Sequence, residues 1–287
     1  MKFIFMGTPK FGAIILEGLC KANFKPVLVV TALDKPIGRK QILMPPAVKV
    51  IAQNYSISII QPEKILDSCL AGRQARLKIL DSKPDLIVVA AYGQILPEEI
   101  LKIPKYGCLN VHPSLLPKYR GPSPIQQAIL RGDKETGVTI ILMDEQIDHG
   151  PILAQKKTII GNNETSQQLH DRLATLGAEL LIDVIPDWID GKIKLQPQEE
   201  KRATYTKILE RETGLIDWKK PAKVIDCQIR ALTPWPGTYT IYKNQRLKIL
   251  KATLKKDKLI IEEVQLEGKK PMSLENFLKG HRDFKIT

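Results

Sequence analysis

The chain of 287 residues has little of what disulfide-stabilised or membrane-spanning proteins require. Its four cysteines are Cys20, Cys69, Cys108 and Cys227. They are widely spaced and form no C-x-x-C pair, so the sequence argues against a disulfide framework and against a structural zinc site. The longest apolar runs, such as residues 86–91, are far shorter than the roughly 20 residues of a membrane span. Because the N-terminus also lacks a signal-peptide pattern, we expect a cytoplasmic protein with reduced thiols.

Two nucleotide-binding motifs are also missing. The first strand-to-helix turn, residues 7–12, lacks the G-x-G-x-x-G pattern that lets a backbone approach a pyrophosphate. The spacing of Gly7 and Gly12 matches the start of a P-loop, but Ala13 and Ile14 stand where Lys and Ser or Thr are required. These absences argue against a dinucleotide-dependent dehydrogenase and against an ATPase.

The first 190 residues alternate strand and helix patterns, which predicts a doubly wound, mostly parallel α/β sheet. The run at 85–91 is continuously apolar, as is typical of a strand buried on both faces. Strands are predicted at 2–6, 26–31, 56–60, 85–91, 107–111, 137–143 and 152–160. Helices are predicted at 9–21, 46–54, 62–80, 123–131 and 164–190, the first with Thr8 as its N-cap and Pro9 as its first residue.

The pattern changes near the end of the chain. Residues 191–206 are polar and have no clear period, which predicts a linker. Residues 207–287 combine a helix at 221–231, short strands at 238–242, 247–253 and 258–264, and a short helix within 271–280. This favours a small β-barrel, OB-like, after the α/β domain. We therefore predict a catalytic domain at 1–190, a linker at 191–206 and a basic barrel at 207–287.

Positive charge is concentrated in that last part. The whole chain carries 44 Lys and Arg against 31 Asp and Glu, a net charge of +13. Residues 205–287 alone contain 18 basic and 10 acidic side chains. Such an asymmetry is typical of a module that binds a polyanion. A general lysine enrichment of solvated surfaces is the alternative interpretation.

Two polar side chains mark the end of the predicted strand 107–111. Asn110 and His112 are two residues apart, so in extended chain they point to the same side. An amide that donates hydrogen bonds beside an imidazole that carries a proton suits addition to a carbonyl, where negative charge grows on oxygen. The alternatives are that Asn110 is a turn residue and that His112 is a satisfied core histidine.

Acidic residues follow the next predicted strand. Asp144, Glu145 and Asp148 come after the strand 137–143 and before Gly150. A carboxylate there is positioned to orient the imidazole and stabilise its cation. A solvated turn acid or a helix cap is the alternative for Asp148.

Ordered motifs along the chain carry a family resemblance. They are Phe-Met-Gly-Thr-Pro at 5–9, Leu-Met-Pro at 43–45, Ala-Tyr-Gly-Gln-Ile-Leu-Pro at 91–97, residues 110–121, residues 143–151, Arg-Ala-Leu-Thr-Pro-Trp-Pro at 230–236, and the tail segments 267–272 and 277–280. Over essentially its full length, the chain resembles the methionyl-tRNA formyltransferase family. The resemblance implies a Rossmann-like formyltransferase core and transfer of a formyl group from 10-formyltetrahydrofolate to the amino group of methionyl-initiator tRNA.

The same resemblance implies the roles of individual residues. Asn110, His112 and Asp148 are the implied catalytic trio, and no metal is needed. The folate is implied to lie along Ser114, Leu115, Leu116 and Pro117, beside Tyr92. This chain departs from the family pattern at Gln146 and His149, which flank Ile147 and Asp148.

The acceptor follows from two further features. The resemblance implies that the basic loop 34–45 grips the acceptor end of tRNA, with Arg39 and Lys40 as the contacting residues, because a guanidinium both pairs with phosphate and stacks on a base. A mobile solvated loop is the alternative. The basic C-terminal segment would bind the tRNA backbone, and we expect a monomer. A folate-dependent formyltransferase or hydrolase with another acceptor, and a noncatalytic RNA-binding protein, stay open as alternatives.

Overall fold

The structure, a computed structural model, describes residues 1–38, 41–65 and 70–284. The packing of its backbone separates into two units that interleave along the chain. The first comprises Met1–Arg120, Gly137–Lys157 and Asp171–Tyr205. The second comprises Gly121–Thr136, Thr158–His170 and the chain from Thr206 onward. The division into 1–190, 191–206 and 207–287 stays a prediction.

The strands and helices follow in chain order. The strands are β1 (Phe3–Gly7), β2 (Leu28–Val30), β3 (Lys35–Ile37), β4 (Ile42–Met44), β5 (Ser58–Ile60), β6 (Leu86–Ala90), β7 (Cys108–His112), β8 (Glu135–Leu142), β9 (Ile152–Ile159), β10 (Thr238–Tyr242), β11 (Gln245–Lys255), β12 (Lys258–Leu266) and β13 (Met272–Ser273). The helices are α1 (Lys10–Lys21), α2 (Ala47–Asn54), α3 (Leu70–Asp81), α4 (Glu98–Leu101), α5 (Pro124–Leu130), α6 (Ser166–Ile189), α7 (Ala222–Leu232) and α8 (Leu274–Gly280), with 3₁₀ turns at Glu200–Arg202 and Arg211–Gly214.

A seven-stranded sheet, in the order β5-β2-β1-β6-β7-β8-β9, organises the first unit. Its first five strands are parallel, and β8 pairs antiparallel with β7. Every residue of β1 and β6 is buried, as their continuous apolar sequences predict. The predicted doubly wound α/β core is therefore confirmed. In such sheets, ligand sites lie beyond the carboxyl ends of the parallel strands, which here include β1, β6 and β7.

The two glycines that begin and end the first turn have a packing role. A Cβ on Gly7 would lie 2.8 Å from the Ala90 carbonyl oxygen, and one on Gly12 would lie 2.7 Å from the same atom. Only a hydrogen at these positions lets α1 pack this closely against the end of β6. The P-loop-like spacing therefore reflects helix–sheet packing.

Three local predictions need correction. The helix predicted at 62–80 corresponds to α3 (Leu70–Asp81), and residues 62–65 are not helical. The N-cap of α1 is Pro9, without a side-chain cap, because the Thr8 hydroxyl donates instead to the Tyr92 carbonyl oxygen at 3.1 Å. The segment predicted as a loop at 34–45 contains the antiparallel pair β3–β4.

The second unit contains the four-stranded antiparallel sheet β10-β11-β12-β13. Helices α7 and α8 pack on it around an apolar core that includes Leu247, Val264 and Phe277. The predicted small β-rich C-terminal domain is confirmed, and its sheet is antiparallel. The pairings among the described residues leave β10 and β13 as the sheet edges, so they do not close the predicted OB-like barrel.

Candidate active site

Strand β7 carries the first two candidate residues at the edge where the parallel strands end. Asn110 pairs in register with Val89 of β6, and His112 pairs with Thr139 of β8. The alternation of side chains along a strand directs Asn110 and His112 to one face. The His112 side chain is buried, whereas Asn110 is partly accessible. The predicted pair is thus held by backbone pairing on both sides of β7.

The imidazole of His112 has an acceptor at each nitrogen. Its Nε2 lies 3.0 Å from the Tyr119 carbonyl oxygen, which can only accept, so Nε2 carries a hydrogen. Its Nδ1 lies 3.5 Å from Asp148 Oδ2, a longer distance than a hydrogen bond. Tyr119 thereby holds the ring and leaves Nδ1 facing the carboxylate.

Asp148 is the third candidate residue, and its carboxylate lies beside the other two. Its Oδ1 accepts a hydrogen bond from Asn110 Nδ2 at 3.1 Å, while Oδ2 faces His112. The structure therefore brings the three predicted catalytic residues together around one carboxylate. An amide donor, an imidazole and a mostly buried acid in contact can stabilise charge on an oxygen and move a proton.

The loop 144–150 reaches this position by an indirect route. Because β8 is antiparallel to β7, its last residue, Leu142, lies beside Leu109 near the start of β7. The loop then runs back over the face that carries Asn110. Asp148 adopts a positive φ of 50°, and a Cβ on Gly150 would lie 1.8 Å from the Leu142 carbonyl oxygen. The loop can therefore fold back only with a left-handed backbone conformation at Asp148 and without a side chain at Gly150.

Asp144 contacts two other positions of this loop, the His149 ring and the backbone of Gln146. His149 Nδ1 lies 2.6 Å from Asp144 Oδ2, and the Gln146 backbone N–H donates to Asp144 Oδ1 at 3.0 Å. Asp144 therefore connects positions within the same loop. Its carboxylate is not among the groups that converge on His112. His149 Nε2 is 3.9 Å from Glu200 Oε2.

The segment predicted as a linker contributes contacts that sequence analysis missed. Gln198 Nε2 donates to the carbonyl oxygens of Asp148 and Gly150, at 2.9 and 2.8 Å. Its Oε1 accepts from Nε and Nη2 of Arg120, at 3.2 and 3.0 Å. Arg120 is fully buried and pairs with Glu200, whose pKa it lowers by hydrogen bonding. No sequence motif signalled Gln198, because a polar segment without periodicity is typical of a linker.

The predicted folate segment 114–117 is held in position by hydrogen bonds within the protein. Ser114 Oγ donates to the Lys118 carbonyl oxygen at 2.6 Å, and Leu116 N–H donates to Thr139 Oγ1 at 3.1 Å. Ser114 and Leu116 are buried, whereas Leu115 and Pro117 are partly accessible. The segment therefore offers a ligand Leu115 and Pro117 more readily than its other two side chains.

Tyr92, the other predicted folate residue, follows β6 at the same edge of the sheet. Its side chain is buried in the core that includes Met6 and Leu96. Burial raises the pKa of Tyr92 to about 12. Its hydroxyl has no hydrogen-bond partner among the described residues, which is unusual for a buried polar atom. This donor is available to a ligand that reaches it.

The predicted tRNA contacts, Arg39 and Lys40, lie outside the described residues. The strands that flank them, β3 and β4, form the antiparallel pair, and all three residues of β4 are exposed. At the base of this pair, Asp34 accepts hydrogen bonds from Lys49 Nζ and Gln61 Nε2, each at 2.8 Å. These hydrogen bonds lower the pKa of Asp34.

Across residues 1–38, 41–65 and 70–284, no cluster of three or more His, Cys, Asp or Glu side chains is arranged to hold a metal ion. In the same ranges, no helix has the length and apolar character needed to cross a bilayer.

Comparison with known proteins identifies the family. Residues 1–185 match the formyl transferase family, and residues 208–259 match the family of formyl transferase C-terminal domains. The chain is 40% identical to a methionyl-tRNA formyltransferase of Citrifermentans bemidjiense, over 98% of this chain and 94% of that protein. It is 41% identical to that of Bacillus licheniformis, over 97% and 95% respectively.

Solved structures share the fold at lower sequence identity. An N-formyltransferase of Helicobacter canadensis, in complex with folinic acid and dTDP-3-aminofucose, has a TM-score of 0.68 and 23% identity, covering 95% of this chain and 98% of that one. A methionyl-tRNA formyltransferase of Clostridium thermocellum has a TM-score of 0.61 and 22% identity, covering 93% and 98% respectively. These likenesses establish the shared fold.

Proposed function

The chain belongs to the methionyl-tRNA formyltransferase family, and from this premise we propose that it transfers a formyl group from 10-formyltetrahydrofolate to the methionine amino group of initiator tRNA. The observation that carries the proposal is the contact of Asp148 with both Asn110 and His112. A noncatalytic RNA-binding protein would need no such convergence of an amide, an imidazole and a carboxylate.

The three residues have separable roles in this chemistry. The neutral amine attacks the formyl carbon, and negative charge grows on the formyl oxygen. Collapse of this intermediate breaks the bond between the formyl carbon and the folate nitrogen, the amine loses a proton, and the folate nitrogen takes one up as tetrahydrofolate leaves. Asn110 Nδ2 carries two hydrogens, of which Asp148 takes one, so the second can donate to that oxygen. His112 exchanges a proton through Nδ1, because Tyr119 occupies Nε2. Asp148 orients the ring and favours its cation.

The formyl donor is held by the edge of the sheet between β6 and β7. Leu115 and Pro117 supply partly accessible apolar surface, and the Tyr92 hydroxyl supplies an unused donor in a buried position. Ser114 and Leu116 shape the segment from within, since their polar and apolar contacts are to the protein. This set suits a ligand with a flat apolar ring and polar edges. No metal takes part in this proposal.

The acceptor is recognised by charge and by the loop 34–45. Arg39 and Lys40 contact the acceptor end of the tRNA, and the basic segment 205–287 contacts its backbone. Relatives at 40% identity over nearly the whole chain favour a tRNA acceptor over the sugar acceptors of more distant proteins with this fold. We place the enzyme in the cytoplasm as a monomer, since aminoacylated tRNA is its substrate.

The test is an acceptor comparison. The purified chain is incubated with 10-formyltetrahydrofolate and, separately, with methionyl-initiator tRNA, free methionine or an amino-sugar nucleotide. We expect formylation of the charged tRNA alone. Formylation of the sugar nucleotide, or release of formate without any acceptor, would replace this function with one of the alternatives.

The role of the loop 34–45 in binding the tRNA is tested by Arg39→Ala. Because Arg39 is assigned to the tRNA and not to the folate, kcat/KM for methionyl-tRNA should fall while KM for the folate stays the same. A parallel loss in both parameters would indicate a folding defect instead.

A further inference from the structure

One glutamine side chain holds the backbone on both sides of His149. The Gln198 amide donates to the carbonyl oxygens of Asp148 and Gly150, and it uses both of its hydrogens to do so. The two carbonyls belong to the part of the loop with the least ordinary geometry: Asp148 has a positive φ, and Gly150 lies against Leu142. A single side chain thereby spans the turn from which the catalytic carboxylate projects.

Gln198 is itself oriented from behind. Two nitrogens of Arg120 donate to its Oε1, which determines which end of the amide faces the loop. Arg120 is fully buried and is paired in turn with Glu200 at 3.0 Å and with the Tyr205 hydroxyl at 3.0 Å. A guanidinium has no acceptor, so it can only bind the oxygen end of Gln198 and direct the NH₂ end toward the two carbonyls.

The need for such a support follows from the energetics of the loop. An aspartate with a positive φ is strained, and strained conformations persist only where the surroundings enforce them. If the two carbonyls lost their donor, the turn could relax and carry the Asp148 carboxylate away from Asn110 and His112. Catalytic groups tolerate little displacement, because reacting geometries are narrow.

We propose that Gln198, oriented by Arg120, is a positioning residue that holds the Asp148 backbone in its catalytic conformation. This inference rests on the proposed function. It gives the segment predicted as a linker a part in the reaction, although none of its side chains is assigned to the substrate.

The test exchanges the amide for groups that cannot donate. Gln198→Glu keeps the acceptor for Arg120 but turns an oxygen toward the two carbonyls, and Gln198→Met keeps the length without charge. For both, kcat for methionyl-tRNA should fall between about 10-fold and 100-fold, as for a displacement of about 1 Å at a catalytic group. KM for the folate should stay unchanged. Melting temperatures are measured alongside, and if Gln198→Glu does not fold, Gln198→Met decides.

A matched control comes from helix α6. Trp188 Nε1 also donates to a backbone carbonyl oxygen far away in sequence, that of Tyr106, at 2.9 Å. Trp188→Phe therefore removes the same type of contact where neither a catalytic nor a substrate-binding group is assigned, and kcat should be unaffected. An equal loss of kcat in this control would show that a structural effect suffices, and would overturn the inference.

A double-mutant comparison separates positioning from general damage. In an Asp148→Asn background, no carboxylate charge is left to position, so Gln198→Glu should cause little further loss of kcat. The same fold-loss in both backgrounds, or full kcat in the single variants, would overturn the inference. If the wild-type chain does not formylate methionyl-tRNA, the proposed function fails first, and the two failures are distinct.

Discussion

The strand and the loop that form the candidate site are stabilised in different ways. Strand β7 lies inside the sheet, hydrogen-bonded to β6 and β8, and its local sequence places Asn110 and His112 on one face. The loop 144–150 lies between β8 and β9, outside both strands. It depends on Gly150, on the Asp144–His149 pair and on Gln198 from a distant segment.

The difference shows that one site can combine residues whose positions tolerate mutation elsewhere with a residue whose position depends on several distant contacts. Two residues on a buried strand keep their relative positions as long as the sheet is folded. The carboxylate keeps its position only if contacts distant in sequence all form together. The strand should therefore be sensitive at its functional atoms, and the loop should be sensitive also at residues that touch no substrate.

The largest effect should come from the functional atoms of the strand. We expect His112→Ala and Asn110→Ala each to lower kcat by roughly 100-fold to 1000-fold, since such donors act on charge that appears only in the transition state. Single-turnover kinetics and tRNA binding are measured together. Near wild-type kcat in either variant would remove that residue from the catalytic trio.

Replacing the charge on the loop should have a smaller effect. Asp148→Asn keeps the shape and a hydrogen-bonding oxygen but removes the negative charge that favours the imidazolium. A hydrogen bond to a charged group contributes about 1.5 to 3 kcal/mol, so we expect kcat to fall by about 10-fold to 100-fold. The pH–rate profile is recorded with the variant. An unaltered rate and profile would make Asp148 a turn residue.

Crowding the return of the loop should reduce stability. Gly150→Ala places a methyl group where the Leu142 carbonyl oxygen already lies, and overpacking of this kind costs about 1 to 3 kcal/mol. Urea-induced unfolding measures the change in the free energy of unfolding. Gly280→Ala is the control, because a Cβ there has no atom of the described residues within 4 Å. Equal stability of both variants would contradict the close approach.

The smallest expected effect is on the chemical reactivity of a buried side chain of β7. Burial raises the pKa of Cys108 on β7 to about 12, so the group stays a thiol at pH 8, and the thiolate is the reactive form. We expect iodoacetamide to leave Cys108 unmodified in the folded protein and to label it in urea. Mass spectrometry of the peptides decides, and rapid labelling of the native protein would show that β7 opens.

Much of the fold was predictable because its signals are local. The apolar run that forms β6, the alternation of strands and helices, and the motif around Asn110 each depend on residues close in sequence. Predictions failed where a polar group had more than one possible hydrogen-bond partner, or where a segment could adopt more than one conformation. The Thr8 hydroxyl bonds across to Tyr92 instead of capping α1, and residues 62–65 stay outside α3.

Long-range contacts escaped prediction for a related reason. A polar segment such as 191–206 is compatible with a solvated linker, and its sequence does not reveal that Gln198 meets Asp148 fifty residues away. Likewise, the position of Asp148 after β8 suggested a strand tip beside His112. The antiparallel direction of β8 shows that the loop must fold back to bring it there.

The amino-acid sequence by itself determined the α/β core and the face shared by Asn110 and His112, because periodicity acts over short distances. The resemblance to the family supplied the choice of Asp148 among three neighbouring acids. Only the tertiary structure decided how the acid reaches that face: the direction of β8, the close contact at Gly150 and the Gln198–Arg120 support. These features require residues far apart in the chain to be brought together, and hydrogen bonds of that kind form only when the whole unit has folded.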